Sequence, residues 1–316
     1  MNNIQPELSI VIPVFNEGMH IQESLVIIAE EVSHLTDRFE MIIVDDGSSD
    51  ETWEQLEELK ALLPELTGLR LSRNFGKELA LCAGLEHASG QAIIVMDADL
   101  QHPPSLLPEM VRLWREEKKE IVECTKTYRG QEPLQKKIGS NLFYWILNKT
   151  SGFDLQGASD FKLLDQKVLK SWREMPERNT FFRGMSAWLG FDRAVISFEV
   201  PARSNGVSRW GLLSLIKLAV NAIVSFSSVP LRMVSVIGLI FLVVAGVMGI
   251  QTLYQKLGGN AVTGFTTVIL LLLIIGSVIM ISLGIIGEYI ASIYNEVKGR
   301  PRFLIRDKLN GDKQQA

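Results

Sequence analysis

Short apolar runs alternate with longer amphipathic segments along the first two thirds of the chain. The runs predict β-strands at residues 9–14, 40–44, 68–71, 92–96, 120–124 and 194–200. The segments between them predict helices at residues 19–35, 51–63, 78–88, 105–117 and 135–150. This alternation is typical of an α/β fold, in which helices cover both faces of a mainly parallel sheet.

The carboxyl-terminal third shows a different pattern. No charged residue occurs from Met233 to Leu253, and none occurs from Gly258 to Gly287. Each stretch reaches the roughly 20 apolar residues that a helix needs to cross a bilayer. Two buried core helices are the alternative explanation, but soluble helices rarely lack a polar face over such a length. The sequence therefore predicts a two-helix transmembrane hairpin.

Positive charges lie outside the two predicted spans. Arg232 precedes the first span, the connection between the spans offers Lys256, and several cations follow the second span: Lys298, Arg300, Arg302, Arg306 and Lys308. The positive-inside rule then predicts that both termini and the amino-terminal domain are cytoplasmic, at the inner (plasma) membrane. The amino terminus lacks a basic-then-apolar signal sequence, which agrees with a domain that stays where it is made.

An amphipathic segment precedes the first span. Apolar side chains recur at helical spacing after residue 211, at Leu212, Leu215, Ile216, Ala219, Ile223 and Phe226. Next to a span, such a face predicts an interfacial helix; a helix in the domain core is the alternative. The expected organisation is a soluble domain over residues 1–210, an interfacial helix over 211–229, two spans over 230–290 and a basic tail over 291–316.

Composition narrows the function. The 316 residues are 47% hydrophobic, with a mean hydropathy of +0.17, and the apolar excess lies at the carboxyl end. The net charge of −4 argues against a nucleic-acid partner, which normally binds a basic domain. Cys82 and Cys124 are the cysteines of the chain and do not indicate a disulfide framework.

Candidate chemistry lies at the end of the predicted fourth strand. Asp97, Asp99 and Gln101 alternate just after a buried apolar run, and two carboxylates with an amide suit a hard cation such as Mg²⁺ or Mn²⁺. A single Asp-x-Asp is weak evidence, because most such pairs are solvated turn residues. Here the first two predicted strands also end in polar turn residues, and open α/β sheets bind ligands at their strand carboxyl ends.

Several segments together resemble one family. The chain resembles the glycosyltransferase family 2 enzymes of GT-A fold, and among them the polyprenyl-phosphate glycosyltransferases similar to dolichol-phosphate mannose synthase and the bactoprenol glucosyl transferases. The resemblance covers essentially the whole chain and is carried by residues 9–17, 44–50, 73–77, 97–103, 157–164, 203–210, 230–232, 287–290 and 300–301. Two positions depart from the family pattern: Ser159 stands beside Asp160, and Glu123-Cys124-Thr125-Lys126 ends the fifth strand.

The resemblance implies a fold and a reaction. The fold is a GT-A, Rossmann-like sheet, joined here to an interfacial helix and a transmembrane hairpin. The reaction is a metal-dependent, inverting transfer of a sugar from a nucleoside diphosphate sugar to polyprenyl (undecaprenyl) phosphate, for modification of a cell-envelope glycan. UDP-glucose or a related UDP-hexose is the expected donor, and the membrane and the lipid acceptor are the expected partners. The chain is also a candidate for homo-oligomer formation.

The resemblance also implies residue roles. Asp160 matches the position of the catalytic base and could take the last acceptor proton or orient the phosphate. Asp99 is the second implied catalytic residue, and Asp97, Asp99 and Gln101 are the implied metal ligands. The expected nucleotide-sugar contacts are Pro13, Phe15, Glu17, Asp46 and Asp97. Arg203, Ser208 and Arg209 are expected to bind the acceptor phosphate; attraction to lipid headgroups is the alternative for both arginines. Turn formation is the alternative for one of Asp45 and Asp46.

Further alternatives concern nearby residues and the whole protein. Arg73 and Lys77 either assist the diphosphate or are solvated loop cations, and His102 is interpreted as a loop residue rather than a metal ligand. A processive polysaccharide synthase would carry Gln-x-x-Arg-Trp, but Gly206 occupies the Gln position before Arg209-Trp210. A non-catalytic membrane scaffold that binds nucleotide is the other alternative.

Overall fold

The computed structural model describes residues 5–128, 159–175, 177, 180–199, 229–257 and 264–309. The chain divides into two compact units. One comprises Met1–Tyr144, Phe153–Arg209 and Arg300–Ala316, and the other comprises Trp145–Gly152 and Trp210–Gly299. The helix predicted at 135–150 and the interfacial helix predicted at 211–229 lie outside the described residues.

The first unit is built on one mixed sheet. Its described strands are β1 (Leu8–Val14), β2 (Phe39–Asp45), β3 (Leu66–Leu71), β4 (Ala92–Val95), β5 (Ile121–Tyr128), β6 (Lys162–Asp165), β7 (Arg193–Glu199) and β8 (Ile305–Leu309). The strands are ordered β7-β5-β6-β4-β1-β2-β3-β8. The pairs β1–β2, β1–β4, β2–β3 and β5–β7 are parallel, while β3–β8, β4–β6 and β5–β6 are antiparallel.

Helices cover both faces of this sheet, as the sequence predicted. The described helices of the unit are α1 (Ile21–Ser33), α2 (Thr52–Lys60), α3 (Lys77–His87), α4 (Leu107–Arg115), α5 (Gln166–Arg173) and α6 (Phe182–Trp188), with a 3₁₀ turn at Pro104–Leu106. Alternate residues of β1 point to opposite faces. Leu8, Ile10 and Ile12 join the core formed with α1, α2 and α4. Val11 faces α3, which lies on the other side.

Close contact between α3 and the sheet depends on a small residue. A Cβ atom placed on Gly84 would lie 2.3 Å from Cγ1 of Val11 and 3.3 Å from Cγ2 of Val44. Any larger side chain would therefore move α3 away from β1 and β2. Because α3 begins at Lys77, this packing also fixes the position of that residue at the carboxyl edge of the sheet.

Two strands of the sheet, β6 and β8, are absent from the strands that the sequence predicted. Residues 305–309 were expected to be part of a basic tail, but they form β8, which pairs with β3 at the edge of the sheet. Ser72 N–H also donates to the carbonyl of Leu304 at 2.9 Å, just beyond the end of β3. The alternating pattern of Ile305 to Leu309 was hidden by its charged residues, which lie on an edge strand where charge is tolerated.

We expect deletion of residues 303–316 to lower the melting temperature by roughly 5 °C or more, because it leaves the backbone groups of β3 unpaired at the sheet edge. Deletion of residues 310–316, which keeps β8, is the matched control and is expected to leave the melting temperature unchanged. Thermal unfolding in detergent measures both. Equal melting temperatures for the two truncated proteins would show that β8 contributes nothing to stability.

The second unit contains two long apolar helices, α7 (Val229–Leu257) and α8 (Phe265–Val297). Both are long and apolar enough to cross a membrane, over Val229–Thr252 and Ile274–Val297. None of the residues in the two most apolar windows is buried within the protein. Burial in a soluble core, the alternative explanation of these segments, is therefore not observed in the described residues.

Candidate active site

The carboxyl ends of β1 and β2 are joined by hydrogen bonds between their loops. Asn16 N–H donates to Oγ of Ser48 at 2.9 Å, and Ser49 N–H donates to Oδ1 of Asn16 at 2.9 Å. Glu17 N–H donates to Oγ1 of Thr52, also at 2.9 Å. Asn16 has a φ of 55°, a left-handed conformation that asparagine tolerates better than most residues. These contacts hold Phe15 and Glu17, two predicted nucleotide contacts, beside the end of β2.

The two aspartates after β2 have different structural roles. Asp45 is fully buried, accepts from Ser48 N–H at 2.8 Å and pairs with Arg70 at 3.3 Å, so it forms the turn. Asp46 accepts from Phe75 N–H at 2.7 Å and from Gly76 N–H at 2.8 Å. Asp46 therefore fixes the loop that leads into α3. Its predicted contact with the nucleotide remains a prediction.

Lys77 connects two parts of the site. Its Nζ lies 2.7 Å from Oδ1 of Asp97, after β4, and 2.8 Å from Oδ2 of Asp160, before β6. Burial alone would lower the pKa of Lys77, but the two carboxylates outweigh it and raise the pKa. Lys77 therefore bridges two predicted functional carboxylates as the first residue of α3, with its side chain 41% exposed. Its role at the diphosphate remains a prediction.

Asp160 is held by a second cation. Arg183 Nε donates to Oδ1 of Asp160 at 2.7 Å, and Nη2 donates to Oδ2 at 3.0 Å. Asp160 is only 4% exposed, and burial alone would raise its pKa. The charges of Arg183 and Lys77 outweigh burial and hold the pKa of Asp160 well below its usual range. A carboxylate in this state is a weak proton acceptor and a strong anchor for cations.

Ser159, one of the departures from the family pattern, helps to place Asp160. Its buried hydroxyl donates to the carbonyl of Cys124 on β5 and accepts from Phe161 N–H at 3.2 Å. The residue before Asp160 is thus tied to the neighbouring strand. The substitution keeps the carboxylate in a defined position, so the departure does not disrupt this part of the site.

The three predicted metal ligands follow β4. Gln101 N–H donates to Oδ1 of Asp99 at 3.1 Å, and Leu100 between them has a φ of 56°, so the segment turns sharply. Asp99 is exposed. Burial raises the pKa of Glu17, and the nearby charges of Asp99 and Asp97 add to this effect. The charges of these three carboxylates therefore lie near one another.

The donor set fits a magnesium or manganese ion that shares a diphosphate. Within the described residues, no group of three His, Cys, Asp or Glu side chains forms a ready-made metal site. Mg²⁺ is commonly bound by one or two carboxylates together with substrate phosphates, which requires fewer protein ligands. Asp97, Asp99 and the Gln101 amide oxygen supply hard oxygen donors of this kind. Their role as ligands remains a prediction.

His102 orients the end of β4. Its Nδ1 accepts from Asp97 N–H at 3.0 Å, which places the ring proton on Nε2 in the neutral form. The ring stacks on Phe161 with 5.0 Å between centroids and meets Phe198 edge-on. His102 is therefore a buried packing residue that fixes the backbone of a predicted metal ligand.

A second charged group lies behind Asp160. Lys162 Nζ lies 3.1 Å from Oε1 of Glu123, the other departure from the family pattern, and donates to Oγ of Ser186 at 2.8 Å. Burial lowers the pKa of Lys162, although Glu123 opposes this effect. The three side chains line a cavity of about 210 Å³ together with Ile121, Ala187, Gly190, Phe191 and Arg193.

Sequence reasoning missed two residues that contact this site. Arg183 lies on α6 and had no spacing signal that linked it to Asp160. Glu78 follows Lys77 and accepts from Phe182 N–H at 2.7 Å; burial and the nearby charge of Asp160 raise the pKa of Glu78 to about 7. Arg203, Ser208 and Arg209, the predicted acceptor-phosphate residues, lie outside the described residues.

Comparison with known proteins gives two family matches. Residues 9–167 match glycosyl transferase family 2, and residues 229–293 match the GtrB C-terminal hairpin. The "Uncharacterized glycosyltransferase sll0501" of Synechocystis sp. is 37% identical over 95% of this chain and 95% of its own length. The "SfII prophage-derived bactoprenol glucosyl transferase" of Shigella flexneri is 33% identical over 97% of this chain and 99% of its own length.

Among solved structures, a complex of glucosyl-3-phosphoglycerate synthase from Mycobacterium tuberculosis with Mn²⁺, UDP-glucose and phosphoglyceric acid aligns with a TM-score of 0.45. The two chains are 20% identical, and the alignment covers 69% of this chain and 78% of that one.

Proposed function

This chain belongs to glycosyltransferase family 2 and carries a GtrB C-terminal hairpin, and from this membership we propose that it transfers glucose from UDP-glucose to polyprenyl (undecaprenyl) phosphate. A relative that is 33% identical over nearly its whole length is named a bactoprenol glucosyl transferase, which supports this choice of sugar and acceptor. In the reaction, an oxygen of the acceptor phosphate forms a bond to the anomeric carbon while the bond from that carbon to UDP breaks. Attack opposite the leaving UDP inverts the anomeric centre.

One observation carries the proposal. Lys77 joins Asp97, at the end of β4, to Asp160, at the start of β6, with contacts of 2.7 and 2.8 Å. The donor diphosphate and the acceptor phosphate are both anions, and bringing them together requires cations where they meet. On one side, Asp97 and Asp99 offer oxygen donors for a metal ion. On the other side, Lys77 and Arg183 place two cations around the buried Asp160. This arrangement suits the binding of two anionic substrates.

Asp97, Asp99 and Gln101 would hold Mg²⁺ or Mn²⁺ on the donor side. When bound, such an ion neutralises the charge that develops on departing UDP. Phe15 is 40% exposed at the end of β1, so its ring is available to contact a base or ribose, and Pro13, Glu17 and Asp46 lie around the same strand ends. We assign the nucleotide to this side of the site.

The acceptor needs little help to lose a proton. A phosphate monoester has a second pKa of about 6, so its oxygen is already largely ionised near neutral pH. Asp160, which its partners keep ionised, therefore serves to orient cations and phosphate rather than to remove a proton. Of the two roles that the resemblance allows for Asp160, taking a proton or orienting the phosphate, we therefore propose the second.

The protein is membrane-associated through its hairpin, and we propose that both ends of the hairpin lie on the cytoplasmic side of the inner membrane. The strand β8 follows α8 and pairs with β3, which precedes α7, so both belong to one sheet. The chain therefore leaves the hairpin on the side where it entered. Residues 1–210 and the interfacial helix over 211–229 would present the site to the lipid phosphate at the membrane surface.

Release of UDP tests the proposal. Purified protein in detergent is mixed with Mg²⁺, undecaprenyl phosphate and one of a panel of UDP-sugars. We expect UDP release and a glycosylated lipid with UDP-glucose, and neither product without the lipid. No product with any UDP-sugar would support the alternative of a non-catalytic nucleotide-binding scaffold.

Replacement of Arg203 or Arg209 by Ala is expected to raise the apparent requirement for polyprenyl phosphate far more than that for UDP-sugar, because both cations are proposed to clamp the acceptor phosphate. Replacement of either arginine by Lys should recover little of the acceptor binding lost in the Ala variants, since an ammonium group cannot make the two parallel bonds of a guanidinium group. Kinetics in neutral detergent with a water-soluble short-chain acceptor provide the measurement. Headgroup attraction predicts instead a defect only on anionic bilayers, and unchanged acceptor dependence in both Ala variants would contradict the clamp.

A further inference from the structure

Arg183 makes a two-bond contact with Asp160 from a different element of the fold. Its Nε and Nη2 donate to the two carboxylate oxygens at 2.7 and 3.0 Å. Two parallel bonds fix the plane of a carboxylate as well as its position. Asp160 is buried, so bulk water is a poor substitute for the guanidinium.

Helix α6 is itself held in place around Arg183. Glu78 accepts from the N–H of Phe182, at the first residue of the helix, at 2.7 Å. One turn later, Ser186 Oγ donates to the Arg183 carbonyl at 3.0 Å and accepts from Nζ of Lys162. The backbone that carries Arg183 is therefore anchored to α3 on one side and to β6 on the other.

The same contact reaches the donor side of the site. Oδ2 of Asp160 binds both Nη2 of Arg183 and Nζ of Lys77, and Lys77 also binds Asp97. The side chain of Lys77 is 41% exposed, whereas that of Arg183 is 31% exposed. Lys77 is thus the more accessible cation of the pair, and its position depends on the carboxylate that Arg183 holds.

We propose that Arg183 is a positioning residue that acts through Asp160, fixing the carboxylate so that it holds Lys77 where the donor and acceptor phosphates meet. This inference rests on the proposed function, because it assumes that two anionic substrates come together beside Arg183, Asp160 and Lys77. Arg183 contributes by orientation, and Lys77 is the group that approaches the substrates.

A double-variant experiment tests the dependence on Asp160. Arg183→Gln is expected to lower turnover by about 10- to 100-fold with UDP affinity nearly unchanged, as for other residues that orient a functional side chain. In an Asp160→Asn background, the same Arg183→Gln change is expected to alter turnover by less than about threefold, since the group through which it acts is already gone. Equal fold losses in both backgrounds would mean that Arg183 acts on a substrate directly, and would overturn the inference.

Two further variants separate orientation from packing. Ser186→Ala removes hydrogen bonds that hold the same helix without touching Asp160. Its loss of turnover measures the contribution of α6 packing and is expected to be clearly smaller than that of Arg183→Gln. Arg183→Lys, which keeps the charge but loses the two-bond geometry, is expected to recover only part of the loss. A Ser186→Ala loss as large as that of Arg183→Gln would show that packing of α6 explains the effect, and would also overturn the inference.

Thermal unfolding of the same proteins separates this inference from the proposed function. If wild-type protein transfers no sugar, the proposed function fails, but the contact is still tested by melting temperatures measured without substrate. The shift caused by Arg183→Gln is expected to be clearly smaller in the Asp160→Asn background than in wild type. Equal shifts in both backgrounds would show that the two side chains are not coupled.

Discussion

Asp99→Ala is expected to lower sugar transfer by at least about 100-fold, since loss of a metal ligand removes several kcal/mol of stabilisation from the developing charge on UDP. Asp99 is exposed after β4, and its charge lies near those of Glu17 and Asp97. Its removal takes away a hard oxygen donor without disturbing the core. Turnover is measured by UDP release over a titration of Mg²⁺ and, separately, of Mn²⁺.

Asp37→Ala is a suitable control for that experiment. Asp37 is exposed just before β2, at the opposite end of the strand from the site, so the same change in charge and size is expected to leave turnover unchanged. Excess EDTA should abolish the activity of the wild-type protein, and added Mg²⁺ or Mn²⁺ should restore it. Full wild-type activity in EDTA would refute the metal assignment.

Asp160→Asn should reduce turnover by at least roughly 100-fold while UDP binds nearly normally. Asn keeps the shape of the side chain but removes the charge that holds Lys77 and Arg183 together, and loss of one preorganised electrostatic group commonly costs 100- to 1,000-fold in turnover. UDP binding is measured by calorimetry, and turnover by single-turnover transfer.

Asp192→Asn provides the comparison for Asp160→Asn. Asp192 also pairs with a lysine, Lys119, at 2.9 Å, but it is 62% exposed on the surface. An exposed ion pair contributes little, so we expect this variant to behave as wild type. A loss of less than tenfold in Asp160→Asn would mean that Asp160 only packs within the site.

The sequence predicted most of the sheet because the signals for its strands are local. β4 is buried throughout, β1 is buried except at Pro13, and β2 is buried from Met41 onward. Polar turn residues follow each of these strands. The alternating Asp97, Asp99 and Gln101 form a local signal too, and the structure places them at the expected edge of the sheet. The strand boundaries moved by one or two residues, and β5 extends to Tyr128.

Contacts between distant residues could not be predicted in this way. Arg183 meets Asp160 across 23 residues, and Lys77 meets it across 83, with no fixed spacing to reveal either pair. Both contacts arise because β6 runs antiparallel to β4 and brings its first residues beside the carboxyl end of that strand. Lys77 was noticed in the sequence, but only the fold reveals that it bridges Asp97 and Asp160.

The position of β8 in the chain has a consequence for biosynthesis. The ribosome makes β3 well before α7 and α8, and β8 only after them, so the edge of β3 stays without its partner while the hairpin enters the bilayer. If only one of the two helices inserted, residues 305–309 would be left across the membrane from β3. In the proposed topology, completion of the sheet therefore requires correct insertion, and a misinserted chain would display an unpaired strand edge by which quality-control proteases and chaperones could recognise it.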